Sequence, residues 1–189
     1  MDTETPIILA IGESGFPIGF GAVQRQLLIL KGLQKQGYQA KVICYKGVHG
    51  AHIAIPVQGE LDGLPYEYLS GSVHKPTGFF NRNWQKIKGK YKELRLIAQL
   101  RRKGLLKACY VSTLDFKHLF IYRIWLKIQG IPLILEYCEL NSAIASRKGM
   151  KRASNDYLFD RLAPRFCDGI CPISDVLIKE VHQLSLIHI

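Results

Sequence analysis

Several groups of residues in this chain have the types and spacing to do chemistry. Gly19-Phe20-Gly21 stands directly before a run of helical periodicity, in a loop that also holds Gly12 and Gly15. Glycines there let backbone N–H groups approach a phosphate, and the dipole of the following helix favours the negative charge. The loop is no Walker A motif, since no Gly-Lys-Ser/Thr follows. It also departs from the dinucleotide fingerprint: Gly19-Phe20-Gly21-Ala22-Val23-Gln24 lacks the third glycine, and Tyr45-Lys46-Gly47 supplies no acid for a ribose. A tight turn that only packs the helix on the sheet is the plainer alternative. A second group, Glu136, Glu139, Asn141 and Ser142, follows the apolar run PLILE. Glu139 falls at the carboxyl edge of that predicted strand, where open α/β sheets bind ligands. Glu136 is nearer the strand and points toward the sheet, and Asn141 and Ser142 either bind hydroxyls or cap a helix.

A third group is electrostatic. Between Arg82 and Lys107 there are ten basic residues and a single acid, Glu93, in a chain of net charge +11. Three readings stay open for this segment: a solvated helix face, contact with an anionic membrane surface through residues such as Lys86, Lys90, Arg101 and Arg102, or nucleic-acid binding. Nucleic acid is not expected, because no helix-turn-helix, RNP or zinc pattern accompanies the charge. His49, His52, His74 and His118 have no partners at motif spacing and read as loop or surface residues. The five cysteines, Cys44, Cys109, Cys138, Cys167 and Cys171, have neither disulfide-framework nor zinc-site spacing and read as structural. No metal and no cofactor are expected.

The elements that must position these groups alternate. Pro6 to Ile11 reads as a buried parallel strand. A helix follows with Val23, Leu27, Leu30 and Leu33 on one face and Gly37 as its C-terminal cap. Ala40 to Tyr45 is a second strand, completing a βαβ unit. HIAIPV and YEYL read as short strands with Asp62-Gly63 as a turn signal between them. Trp84 to Lys103 is a long basic helix with Trp84, Ile87, Tyr91, Leu94 and Ile97 or Ala98 as its apolar stripe. Strands at 108–112, 132–136 and 169–174 then alternate with helices at 114–129 and about 153–166. The last is distorted at Pro164, and a further helix starts at Asp175. This pattern predicts an α/β fold with a doubly wound, mainly parallel sheet and helices on both faces.

Of the residues, 48% are hydrophobic and 22% charged, which excludes a disordered chain. No run of apolar residues is long enough to span a membrane. Met1-Asp2-Thr3-Glu4-Thr5 lacks the basic and apolar regions of a signal peptide, so a cytoplasmic location is expected.

The opening segment, ILAIGESGFPIGFGAVQRQLLILKGLQKQGYQAKVICY, resembles the N-terminal segment of family-4 glycosyltransferases of GT-B fold. Gly19-Phe20-Gly21, Gln24-Arg25-Gln26, Leu30, Leu33, Gly37-Tyr38 and Val42 match that family's loop, helix and strand in kind and order. Phe166 to Asp175, FCDGICPISD, is similar to the strand that closes the family's first lobe, and Ile131 to Glu139 resembles its acceptor-side strand and loop. The resemblance implies a Rossmann-like first lobe of a retaining, nucleotide-sugar-dependent hexosyltransferase of polysaccharide biosynthesis. Its glycine loop would lie near the donor phosphates, and its strand ends would hold a glycan or lipid-linked acceptor. Glu139 is then the leading catalytic candidate, although the leaving phosphate can itself take the acceptor proton.

The E-x7-E pair of the family's donor lobe is absent from this chain. The last six residues, Leu184 to Ile189, read LSLIHI, which a common short-read sequencing adapter encodes in one frame. The natural lobe is therefore expected to span residues 1–183 and to continue into a donor-binding domain, the fragment alone being inactive. Two other classes remain as alternatives: a different Rossmann-like nucleotide-binding enzyme, such as an oxidoreductase or epimerase, and a basic membrane- or nucleic-acid-binding module.

Overall fold

The computed structural model describes residues 5–144 and 150–184. Seven strands line up in the order β3-β4-β2-β1-β5-β6-β7. They are β1 (Ile7–Gly12), β2 (Gln39–Cys44), β3 (Gln58–Leu61), β4 (Leu64–Tyr68), β5 (Leu106–Ser112), β6 (Leu133–Tyr137) and β7 (Gly169–Pro172). The helices are α1 (Gly21–Lys35), α2 (Phe79–Arg102), α3 (Phe116–Gln129), α4 (Met150–Leu162) and α5 (Asp175–Leu184). The α/β class and mainly parallel sheet expected from the alternation are present. The chain divides into two compact units, Met1–Cys109 and Tyr110–Ile189. The expected end of the natural chain, after Gln183, falls largely outside the described residues.

In the first unit β1 and β2 pair in parallel, Ile7 opposite Gln39 and Ala10 opposite Val42, and β2 pairs in parallel with β4. Ile8 to Ile11 are all buried, as a strand covered on both faces requires. Helix α1 buries Val23, Gln26, Leu27 and Leu30, and Gly37 after its end takes φ 86°, the left-handed conformation that glycine reaches without strain. The segment HIAIPV is not a strand. The strand β3 instead uses QGEL, antiparallel to β4, and Asp62 (φ 50°) and Gly63 (φ 80°) form a two-residue hairpin between them. Positive φ at both central residues is the geometry that matches strand twist, and it sets a register in which Leu61 faces Leu64. That turn decided the pairing where apolar content pointed upstream.

Helix α2 corrects another expectation. Only the C-terminal part of its predicted apolar stripe is buried: Ile97 is, together with Gly89 and Glu93, while Trp84, Ile87 and Tyr91 are exposed. Gly89 is the reason for the seat. A Cβ there would overlap the backbone carbonyl of Tyr45, so the helix approaches the end of β2 more closely than any side chain allows.

In the second unit β6 and β7 pair in parallel, with Ile134 opposite Gly169 and Glu136 opposite Cys171. Asp115 caps α3, accepting the Lys117 N–H at 2.9 Å, and Gly130 ends that helix at φ 64°. Leu119, Tyr122, Leu126, Leu133, Leu135, Tyr137 and Phe159 form the core. Pro164 falls in a short 3-10 turn, Ala163–Phe166, where α4 ends. Among the described residues no helix is long and apolar enough to cross a membrane.

Candidate functional site

The β1–α1 loop is held from beneath by side chains. Ser14 donates to Gln26 at 2.8 Å, and its hydroxyl accepts the Phe16 N–H at 3.2 Å. Phe16 is fully buried and its carbonyl accepts the Tyr68 hydroxyl at 2.6 Å. Tyr68 has one hydroxyl proton, so its oxygen is left to accept from His49 Nε2, 2.9 Å away. His49 is therefore a buried member of this network and not the loop or surface residue expected. Burial lowers its pKa, against the opposing carbonyls of Gly15 and Phe16.

Above this base the loop is open. Gly19, Phe20 and Gly21 are exposed, the Phe20 ring almost completely so at 96%. Phe20 is the N-cap of α1 and its carbonyl accepts the Val23 N–H at 3.0 Å, but no side chain caps the helix. The first turn holds no acid either. The sequence thus places an uncapped, uncompensated helix start at the end of β1, an arrangement that attracts an anion. A Cβ on Gly19 would press on the Val23 side chain, whereas one on Gly21 would meet only the Arg25 guanidinium at 3.4 Å.

Beside it, the ends of β1 and β2 carry a charged cluster that sequence reasoning missed. Glu13 accepts from the Tyr45 hydroxyl at 2.9 Å and pairs with Lys46. Lys90 lies over the Tyr45 ring, 3.8 Å from its centroid, and pairs with the fully buried Glu93 at 2.7 Å. Desolvation lowers the Lys90 pKa, and the Glu93 carboxylate opposes it. Lys90 therefore points inward and is removed from the basic surface expected to meet a membrane. Lys86 lines a cavity of about 290 Å³ with Lys46, Lys75, Arg82 and Gln85, while Arg101 and Arg102 are exposed.

The second unit holds the Glu136–Ser142 group, and its members have different surroundings. Glu136 is buried in β6; burial, and after it the Glu136 carboxylate, push the neighbouring Cys171 thiol up. Glu139 is exposed in the bend after β6. Asn141 is fully buried: its N–H donates to Asp160 at 2.8 Å and its side-chain amide to the Leu114 carbonyl at 2.9 Å. These two donors hold the loop in place, while the buried side-chain oxygen of Asn141 has no hydrogen-bond partner among the described residues. Asp160 also accepts the Ser142 N–H at 2.9 Å, leaving that side chain exposed. Asn155 completes the network, accepting the Phe116 N–H at 2.8 Å and donating to Leu114 at 3.0 Å. Asp160 and Asn155 were not singled out in the sequence. Their only signal is polarity on the inward face of α4, whose Tyr157 and Leu158 face solvent.

Cys44, Cys109 and Cys167 are buried, and burial pushes the Cys44 and Cys167 thiols up to about 12, which suits packing and not nucleophilic attack.

No protein-family model and no curated protein matches the chain. Solved structures do. Sucrose-phosphate synthase from Thermosynechococcus elongatus superposes with a TM-score of 0.62 at 11% identity, over 96% of this chain and 45% of its own. UGT2 from Phytolacca americana, solved with UDP-2-fluoro-glucose and pterostilbene, gives 0.51 at 14% identity, over 87% of this chain and 35% of its own. At these identities the likeness establishes the fold, that of a Rossmann-like lobe of GT-B type. The chain spans less than half the length of either structure.

Proposed function

We propose that this chain is the acceptor-side lobe of a glycosyltransferase that moves a sugar from a nucleotide-sugar donor to a glycan or lipid-linked acceptor. The observation that carries the reading is the Gly19-Phe20-Gly21 loop at the uncapped start of α1, in a lobe whose fold is shared by a sucrose-phosphate synthase and by a UGT2 solved with UDP-2-fluoro-glucose. The leaving nucleoside diphosphate gains negative charge as the glycosidic bond to its phosphate breaks. Backbone N–H groups of Gly21 and its neighbours, aligned with the α1 dipole, stabilise that charge. The resemblance of the opening segment to family-4 enzymes supports a retaining reaction of hexosyl type, within polysaccharide biosynthesis. The leaving phosphate then takes the acceptor proton, and Glu139, exposed after β6, helps to hold the acceptor hydroxyl. Donor choice belongs to a second lobe. The enzyme works in the cytoplasm, without metal or cofactor, and meets anionic membrane peripherally.

The test is transfer by the full-length gene product, supplied with a panel of nucleotide sugars and a membrane extract as acceptor source. Release of nucleoside diphosphate with a labelled lipid or glycan is expected. Gly21→Val should lower kcat by about tenfold or more, because the added branches stand where the phosphate approaches. Tight NAD(H) binding without sugar turnover would instead establish the oxidoreductase alternative.

A further inference from the structure

Helix α2 presents an apolar face that nothing among the described residues covers. Phe80, Trp84, Ile87 and Tyr91 follow one another at i, i+4, i+7 and i+11, a single stripe along the helix. They are 85%, 68%, 63% and 65% exposed, and Phe79, packed edge-on against Phe80 at 5.8 Å, is exposed as well. Three of the four are aromatic, the residue types that settle at a lipid–water boundary. At about 100° per residue, Lys88, Arg95 and Arg102 lie within roughly 40° of Trp84, so cations continue the same face. All three are exposed. The helix has only one acid, Glu93, and that residue is buried on the opposite side. The exposed face is therefore rings and cations without a compensating carboxylate. At the same end of α2 as the aromatic stripe, the cavity beside Lys46 adds Lys75, Arg82 and Lys86 to the positive field, Lys46 itself being paired with Glu13.

We infer that α2 is a docking face for an anionic lipid bilayer, lying in the plane of the surface with Phe80, Trp84, Ile87 and Tyr91 at headgroup depth. Charge complementarity selects the occupant: a convex helix with a ring-rich stripe and flanking Lys/Arg matches an interfacial helix on acidic phospholipid. Lys88, Arg95 and Arg102 keep their charges at the phosphates while their methylenes follow the apolar stripe inward. The inference rests on the membrane contact of the proposed reading, giving it a surface, but it does not depend on sugar transfer. It also replaces Lys90 as a contact residue with Lys88, Arg95 and Arg102.

Trp84 is a built-in reporter, the only other tryptophan being Trp125. The experiment uses the Trp125→Phe chain with vesicles of phosphatidylcholine alone or mixed with phosphatidylglycerol, followed by tryptophan emission and by co-sedimentation. A blue shift and co-sedimentation are expected on the mixed vesicles alone, weakening as salt rises. Phe80→Ser with Tyr91→Ser, or Lys88→Glu with Arg95→Glu, should each weaken binding by about tenfold or more. Circular dichroism of these variants should be unchanged, since every altered side chain is exposed. Equal binding to neutral vesicles, or binding that survives both double variants, overturns the proposal. So does a blue-shifted Trp84 in a vesicle-free dimer, which would assign the face to a second copy. A shift produced by DNA and not by vesicles would assign it to nucleic acid. None of these readouts uses sugar transfer, so failure here leaves the transferase assay to stand or fall separately.

Discussion

Helices α1 and α2 both belong to the first unit, and each carries an apolar stripe. Helix α1 turns Val23, Leu27 and Leu30 inward and leaves its charges outside. Helix α2 does the reverse over much of its length: a glycine, an ion pair and Ile97 face inward while Trp84, Ile87 and Tyr91 face out. The two helices are held by different physics. Burying a Leu contributes roughly 1.5–3 kcal/mol through area removed from water. The seat of α2 relies on close approach at Gly89 and on Lys90, which pairs with buried Glu93 and lies over the Tyr45 ring. A helix seated in that way keeps its apolar stripe available for something else.

The comparison is broken or sharpened most strongly by truncation. Leu30→Ala should cost roughly 2–5 kcal/mol in denaturant melts, as for a fully buried side chain, whereas Trp84→Ala should change stability by about 0.5 kcal/mol or less. Equal losses would mean that the stripe of α2 is buried after all. Next comes Glu93→Gln, which leaves Lys90 without its counter-charge in a desolvated place. A loss of about 3 kcal/mol is expected, and a neutral result would refute the account of the seat. Glycine replacement gives opposite signs in the two helices. Gly32→Ala in α1 meets open space and should stabilise by up to ~1 kcal/mol through helix propensity. Gly89→Ala should destabilise by about 1–3 kcal/mol through overlap with Tyr45.

The smallest effect is set by pH. His49 under the β1–α1 loop has a lowered pKa in the folded chain, so the unfolded chain binds the proton more readily. Its contribution to stability is complete above the unfolded value of about 6.5 and is lost as pH falls through the folded value. Helix α2 contains no histidine. Hydrogen exchange at mildly acidic pH should therefore loosen amides of the 13–20 loop without affecting those of α2. A parallel loss in both would show that the acid effect is not His49.

How much of this was legible in the sequence follows the same divide. Strands β1, β2 and β6 and helix α1 were readable because each buries a regular apolar pattern, and period and burial then agree. Gly37 and Gly130 marked helix ends for a steric reason visible in one residue type. The burial of α2 is legible only at Ile97, because periodicity reports that a stripe exists and not what it faces. Only the carbonyl of Tyr45, distant in sequence, explains Gly89. The β3 strand was misplaced because the Asp62-Gly63 hairpin fixed pairing over apolar content. In the site, the glycine loop was found from its position between strand and helix. Asp160, Asn155 and the role of Asn141 were out of reach, since their hydrogen bonds join residues 18–41 positions apart. His49 has no motif neighbours in sequence, because its partner Tyr68 comes from β4, 19 positions away.

The most direct test of the acceptor-lobe reading is the gene itself. The DNA beyond the Gln183 codon should continue, in place of LSLIHI, for on the order of 150–200 further residues with strand–helix alternation and an E-x7-E pair. A stop codon directly after Ile189 in the source DNA would contradict a two-lobed enzyme and leave this chain as a basic binding module.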